Sequence, residues 1–363
     1  MPKSELTPPE TGILTASTNH GSYRPWPTWK ETLNIIRFIS ERRPRGISFQ
    51  HTIQNQIKQT KQFCTLLGVF YGVFGSILLI NIAKKLNQFS TSLNFDPLWP
   101  LYWTRWLTPE HGILLTLGLS FVLLITGIAM RKQRWARLFF FTGTLFTVSL
   151  NSSFGAIVHG YHSLLFVCFL FIFLPSQPPL NIRNRYQSMG IFTAALGCLL
   201  LPYTLSGIWK VISSTQALIH GTGGYFRSGG LSDLVAHTTF IKSRTPFLAD
   251  TLIRHTFVSD VLILFGIYFQ TFSLFIPLRP SLHRIWGFGI ILFHLGIQLS
   301  MGITFDKNAI LAAILMLNSP LSPKTLQLTE IISELPLIKG ARELCNLLTH
   351  ANLWVKTPGL RRR

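Results

Sequence analysis

Five ionisable side chains stand inside long apolar runs of this 363-residue sequence: His159, His162, Lys210, Asp260 and His294. A charged group in such a run is expensive to bury, so each is a candidate for function. Lys210 carries the amine that could act as a base, because low-dielectric surroundings disfavour an ammonium and release a neutral nitrogen. His159 and His162 are three residues apart and share a helical face, but an HxxH pair with no third ligand is a weak metal signature, and no metal is expected. His294 has Gln298 one turn further along the same face, an arrangement that can orient a polar ligand. Each residue also has a plain structural reading. Lys210 could snorkel to headgroups, Asp260 could bridge to Lys210 or Arg254, and His294 with Gln298 could be hydrogen-bonding glue between helices.

These side chains need helices long enough to place them. A spanning helix takes about 20 mostly apolar residues, and the sequence offers such runs at 63–83, 111–130, 137–152, 156–174, 188–213, 256–277, 285–305 and 309–319. The expected fold is all-α: a polytopic integral membrane helical bundle with about eight spanning helices. Lysine and arginine fix its orientation. On one side fall 24 of them and on the other 8, with Lys210 inside a run completing the 33. The positive-inside rule then places both termini in the cytoplasm and the 84–110 and 214–255 segments outside. Residues 1–62 form a basic cytoplasmic head, 63–320 the bundle with its outside loop 214–255, and 321–363 a basic cytoplasmic tail. In the head, Thr28-Trp29-Lys30-Glu31 is a capping box. Trp29, Leu33 and Ile36 share one face ahead of Arg37, Arg42, Arg43 and Arg45, which reads as an amphipathic helix on the inner membrane surface.

On this orientation His159, His162, Lys210 and Asp260 all lie near the outer ends of their runs. His294 lies deeper, with Gln298 beside it, so the set is expected to line a cavity open to the outer leaflet. The loop 214–255 opens on His220-Gly221-Thr222-Gly223-Gly224-Tyr225 and has no GxxxxGK[ST], so its glycines are flexible backbone or a lid hinge and not a phosphate loop.

Composition agrees. Hydrophobic residues make up 48% and charged residues only 13%, about half the charge of a soluble domain. A net charge of +20 would raise nucleic acid as a partner, but the basic residues flank apolar runs, so membrane lipid is the expected partner and nucleic acid is not. The four cysteines form no CxxC pair, which excludes a thiolate metal site or a disulfide framework. The first 62 residues are polar and Pro-rich, so no signal peptide is expected and 63–83 reads as an anchor.

Several short stretches, in order, resemble a known bundle. His159-Gly160-Tyr161-His162-Ser163-Leu164 is similar to a histidine-serine pair at a helix start. Ser206-Gly207-Ile208-Trp209-Lys210-Val211 is similar to a small-Gly-aliphatic-x-Lys-aliphatic motif. Leu234 to His237 falls where the bundle has a short helix ending in histidine, and Phe293-His294 is followed by Met301-Gly302-Ile303. From about Asp96 to Pro320 the chain thus resembles the horizontally transferred transmembrane (HTTM) domain family, the bundle shared with vitamin K-dependent gamma-carboxylases. The resemblance implies that Lys210 is the base that deprotonates a reduced vitamin K or another membrane quinone. It also implies that His162 assists at the glutamyl carbanion, with His237 among the cavity-lining residues. The chain departs from the family in having Trp209 before the lysine and a short tail in place of a large extracytoplasmic domain. A membrane enzyme with a Lys/His site acting on a quinone or lipid-linked substrate is therefore expected over a propeptide-directed carboxylase. The alternative is a non-catalytic accessory for transport, export or maturation that keeps the fold.

Overall fold

The structure, a computed structural model, describes residues 49–87, 95–155, 159–176, 181–222, 224–243, 245–323 and 328–338. The amphipathic helix expected near Trp29, Cys345 and the basic end at 361–363 lie outside these residues.

All regular structure among the described residues is helical. Helix α1 (Phe49–Asn87) runs without a break through residue 62, where the head was expected to end. A single 3-10 turn, Tyr102–Trp106, precedes α2 (Pro109–Ala129). Thr108 starts α2 by accepting a hydrogen bond from the His111 amide at 3.4 Å, and Pro109 fills the first turn, where its missing N–H costs nothing. After α3 (Arg134–Ser152), a turn at His159–Tyr161 leads into α4 (His162–Phe171). Asn181 caps α5 (Ile182–Ile219) by accepting from the Asn184 amide at 2.8 Å. Within the 214–255 segment lie α6 (Gly230–Lys242) and α7 (Ala249–Arg254). Helix α8 (Thr256–Thr271) follows, then turns at Ser273–Leu278 and Pro280–Leu282, and α9 (His283–Met301). Helix α10 (Asp306–Ala312) continues as a π turn, Ala313–Leu317, and α11 (Leu328–Glu334) closes the described chain.

Four helical stretches among the described residues are long and apolar enough to cross a membrane: Gln59–Asn87, Pro109–Ala129, Arg183–Ile219 and Pro280–Met301. The other expected runs fall on α3 or on shorter pieces. The 156–174 run yields only α4 after its 3-10 turn, and the 256–277 run leaves the α-helix after Thr271, ahead of Pro277. The 309–319 run is split between α10 and its π turn. The 285–305 run stops at Met301 because Gly302 takes a left-handed conformation, φ 64°, that ends α9.

An aromatic core joins the helices. Phe70, Tyr71 and Phe74 of α1, Phe140 of α3, Phe171 of α4, Phe192 of α5 and Trp286 of α9 are all buried. Phe70 meets Phe171 edge-on at 5.0 Å and Tyr71 meets Phe140 at 4.8 Å, geometries that suit aromatic quadrupoles. Among the described residues, one arginine sits in this interior. Arg137, which the charge count assigns to a loop, is 3% exposed. Its guanidinium donates to the carbonyls of Arg131 (3.2 Å), Lys132 (2.8 Å) and Leu174. It thereby ties the α2–α3 turn to the segment just after α4, pairing backbone carbonyls that lie outside the helices. Near the tail, Arg279 and Glu334 pair at 2.9 Å, which fastens α11 to the turn between α8 and α9.

Candidate functional site

Lys210 lies nine residues before the end of α5, about 13 Å inside the helix at 1.5 Å per residue. The helix is longer than the 188–213 run, so the lysine is further from the helix end than the sequence implies. Its amine donates to Ser206 Oγ at 2.7 Å and to Gln270 Oε1 at 3.0 Å. Ser206 is one turn earlier on α5, and Gln270 is a buried residue of α8. Gly207 makes this meeting geometrically feasible: a Cβ there would lie 2.4 Å from the Thr271 amide nitrogen and 2.8 Å from the Gln270 carbonyl carbon. The two backbones touch at that point, as small residues allow where helices cross. The Leu274 amide donates to Thr204 Oγ at 2.9 Å, a second tie along the same seam.

Asp260 does not pair with Lys210. Its carboxylate accepts from the Ser228 hydroxyl and the Gly229 amide, both at 2.8 Å, and so pins the glycine turn that starts α6. Among the described residues, no carboxylate lies within ion-pair distance of Lys210.

His294 is 6% exposed and its Nε2 shares a 2.5 Å hydrogen bond with the Tyr203 hydroxyl. Its Nδ1 is buried and has no partner among the described residues, and its ring lies 5.2 Å from that of Phe305. Tyr203 stands one turn before Gly207 and two turns before Lys210 on α5, so the two polar pairs line the same side of that helix. Gln298 is exposed at the end of α9, and His237 is exposed on α6. His159 and His162 are also exposed, their rings edge-on at 5.1 Å. Beside them Tyr161 is buried and hydrogen-bonded to Asn81, with Lys307 over its ring at 5.1 Å. Among the described residues, no group of three His, Cys, Asp or Glu side chains could hold a metal ion.

The structure thus brings Lys210 together with Gln270 and Ser206, and His294 with Tyr203. Gln270, Ser206 and Tyr203 are neutral at pH 7, so charge within an apolar run does not reveal them. Gln270 did carry a signal: it is the one amide in the apolar stretch Val261 to Phe272, and an amide in such a stretch needs a partner. His283, just outside the 285–305 run, is fully buried between Ser319 Oγ (2.8 Å) and the Pro277 carbonyl (3.3 Å), and both ring nitrogens are occupied by that structural role. No family model, curated protein or solved structure matches the chain.

Proposed function

We propose that the chain is a multi-pass membrane protein of about eight spans whose Lys210 site acts on a membrane quinone or lipid-linked substrate. The reading rests on one observation: the Lys210 amine is held by two neutral oxygens, at 2.7 and 3.0 Å, with no carboxylate in range among the described residues. A neutral amine has two N–H bonds and one lone pair. Ser206 and Gln270 take the two N–H bonds, which leaves the lone pair for an acidic proton such as that of a hydroquinone hydroxyl. Once protonated, the ammonium would hold the resulting phenolate, an anion that apolar surroundings otherwise disfavour. His162, exposed at the start of α4, stays in the proposal as the second catalytic residue implied by the HTTM resemblance.

Organic extraction of the detergent-purified protein, followed by mass spectrometry, should recover a quinone in near-stoichiometric amount. Protein that carries phospholipid but no quinone, and shows no hydroquinone-dependent turnover, would favour the non-catalytic accessory role.

The orientation is tested separately. In a background with the four native cysteines replaced, single cysteines at the exposed positions Thr251 and Gln133 should differ in labelling by an impermeant maleimide. Thr251→Cys should react from outside intact cells and Gln133→Cys only after permeabilisation. The reverse pattern would invert the proposed topology.

A further inference from the structure

We infer that the groove over the C-terminal end of α9 is a headgroup site for an anionic membrane phospholipid. Helices α6 and α7 fold around a small core of their own, Val235, Ala249 and Leu252 packed on Met301 of α9. Two ties set this cap against the helix end. The Leu248 amide donates to the Leu299 carbonyl at 2.8 Å, and the Lys242 ammonium donates to the carbonyls of Met301 (3.2 Å) and Gly302 (3.4 Å).

Between them lies a space of about 740 Å³ whose lining includes Lys242, Thr245, Phe247, Gln298, Leu299 and Thr304. That volume is within the ordinary range for a bound small molecule. Among the described residues, Lys242 is the only charged residue of the lining and no carboxylate pairs with it. The two hydroxyls and the Gln298 amide add neutral donors, a set that suits a phosphate ester.

The rim identifies the phosphate as a lipid's. Phe247, in the lining, is 83% exposed, and Phe240 and Ile241, which immediately precede Lys242 on α6, are 85% and 66% exposed. Large apolar side chains so exposed, flanking a cationic groove, belong at the boundary between headgroups and acyl chains. The phosphate sits at Lys242 and an acyl chain runs along Phe247 and Leu299. This inference rests on the membrane reading above and is independent of the amine chemistry at Lys210.

Native mass spectrometry of the full chain in detergent tests it, with phosphatidylglycerol and phosphatidylcholine of identical chains as probes. Phosphatidylglycerol should be retained roughly tenfold more tightly than phosphatidylcholine, because both offer the phosphate but only choline brings a second cation close to Lys242. Lys242→Gln should erase the preference. Because Lys242 also ties the end of α9, Gln298→Ala provides a second variant, expected to weaken phosphatidylglycerol retention at unchanged Tm. Equal retention by wild type and both variants overturns the inference. Displacement of the lipid by millimolar inorganic phosphate also overturns it, in favour of a free-anion site. Loss of quinone with the lipid preference intact would sink only the Lys210 chemistry. A chain recovered as soluble protein without detergent would sink both.

Discussion

Replacing Lys210 with methionine should leave the helix bundle close to wild-type stability while removing the function of the site. Methionine is unbranched and of similar length, so it can follow the path of the lysine stem between α5 and α8. It removes an amine that has no carboxylate partner among the described residues, and with it the cost of holding that polar group out of water. Against that, Gln270 Oε1 and Ser206 Oγ lose their donor, a penalty of about 1–3 kcal/mol where the group stays buried. Ser206 can turn its hydroxyl back to a carbonyl of its own helix, which softens the loss. The two effects oppose each other, so the expected change in Tm is small. The chemical effect has no such offset. With Lys210 as the proposed general base, its removal should lower turnover by about 10² to 10⁴-fold. Lys210→Arg sharpens the comparison, because a guanidinium is permanently charged and has no lone pair to take up a proton. It should be as inactive as the methionine variant. The measurements are thermal unfolding in detergent and hydroquinone-dependent turnover, with retained quinone as an activity-independent readout. A fall in Tm beyond about 10 °C for Lys210→Met, several kcal/mol at the usual scaling, would make the lysine a structural tie. Activity in the arginine variant would end its role as base.

Parts of this arrangement are legible in the sequence, for local reasons. The apolar runs at 111–130 and 285–305 locate the helices α2 and α9, because hydropathy is a local property, but miss the Thr108 cap that starts one and the Gly302 turn that ends the other. Lys210 stands out because a lone cation in an apolar run has few explanations. What depends on a second helix is not legible. Nothing around Asp260 in sequence says that its carboxylate goes to Ser228 and Gly229 and not to Lys210 or Arg254. Gln270 and Tyr203 become notable only when α5 brings a lysine to one and α9 a histidine to the other. Arg137 shows the same limit from the other side. Counted by sequence it is a loop cation, and its burial depends on the carbonyl of Leu174 arriving from α4. Apolar runs also overstate helix length, since hydropathy does not register a 3-10 turn before α4 or a π turn after α10.

Gly207→Ala should destabilise the protein and disturb the Lys210 site together, whereas Gly197→Ala on the same helix should do neither. The contrast comes from what a methyl group would meet. At Gly207 it would lie 2.4 Å from the Thr271 amide nitrogen, 2.7 Å from Thr271 Oγ and 2.8 Å from the Gln270 carbonyl carbon. Two of these are backbone atoms of α8 and cannot swing aside, so α5 and α8 must separate. At Gly197 nothing lies within 4 Å of the same position. Alanine there gains helix propensity, up to about 1 kcal/mol in favour of the variant. Forcing a packed contact apart costs about 1–3 kcal/mol and occasionally more. The separation also lengthens the Lys210–Gln270 bond at 3.0 Å and the Leu274–Thr204 bond at 2.9 Å, the polar ties along that seam. Gly207→Leu should enlarge every effect. Thermal unfolding reads the first consequence. The second is read by labelling Lys210 with an amine-reactive probe, which should speed up once Gln270 no longer holds the amine. Equal Tm values for Gly207→Ala and Gly197→Ala would mean that α5 and α8 do not meet at Gly207. Lys210 would then have lost the neighbour that defines its site.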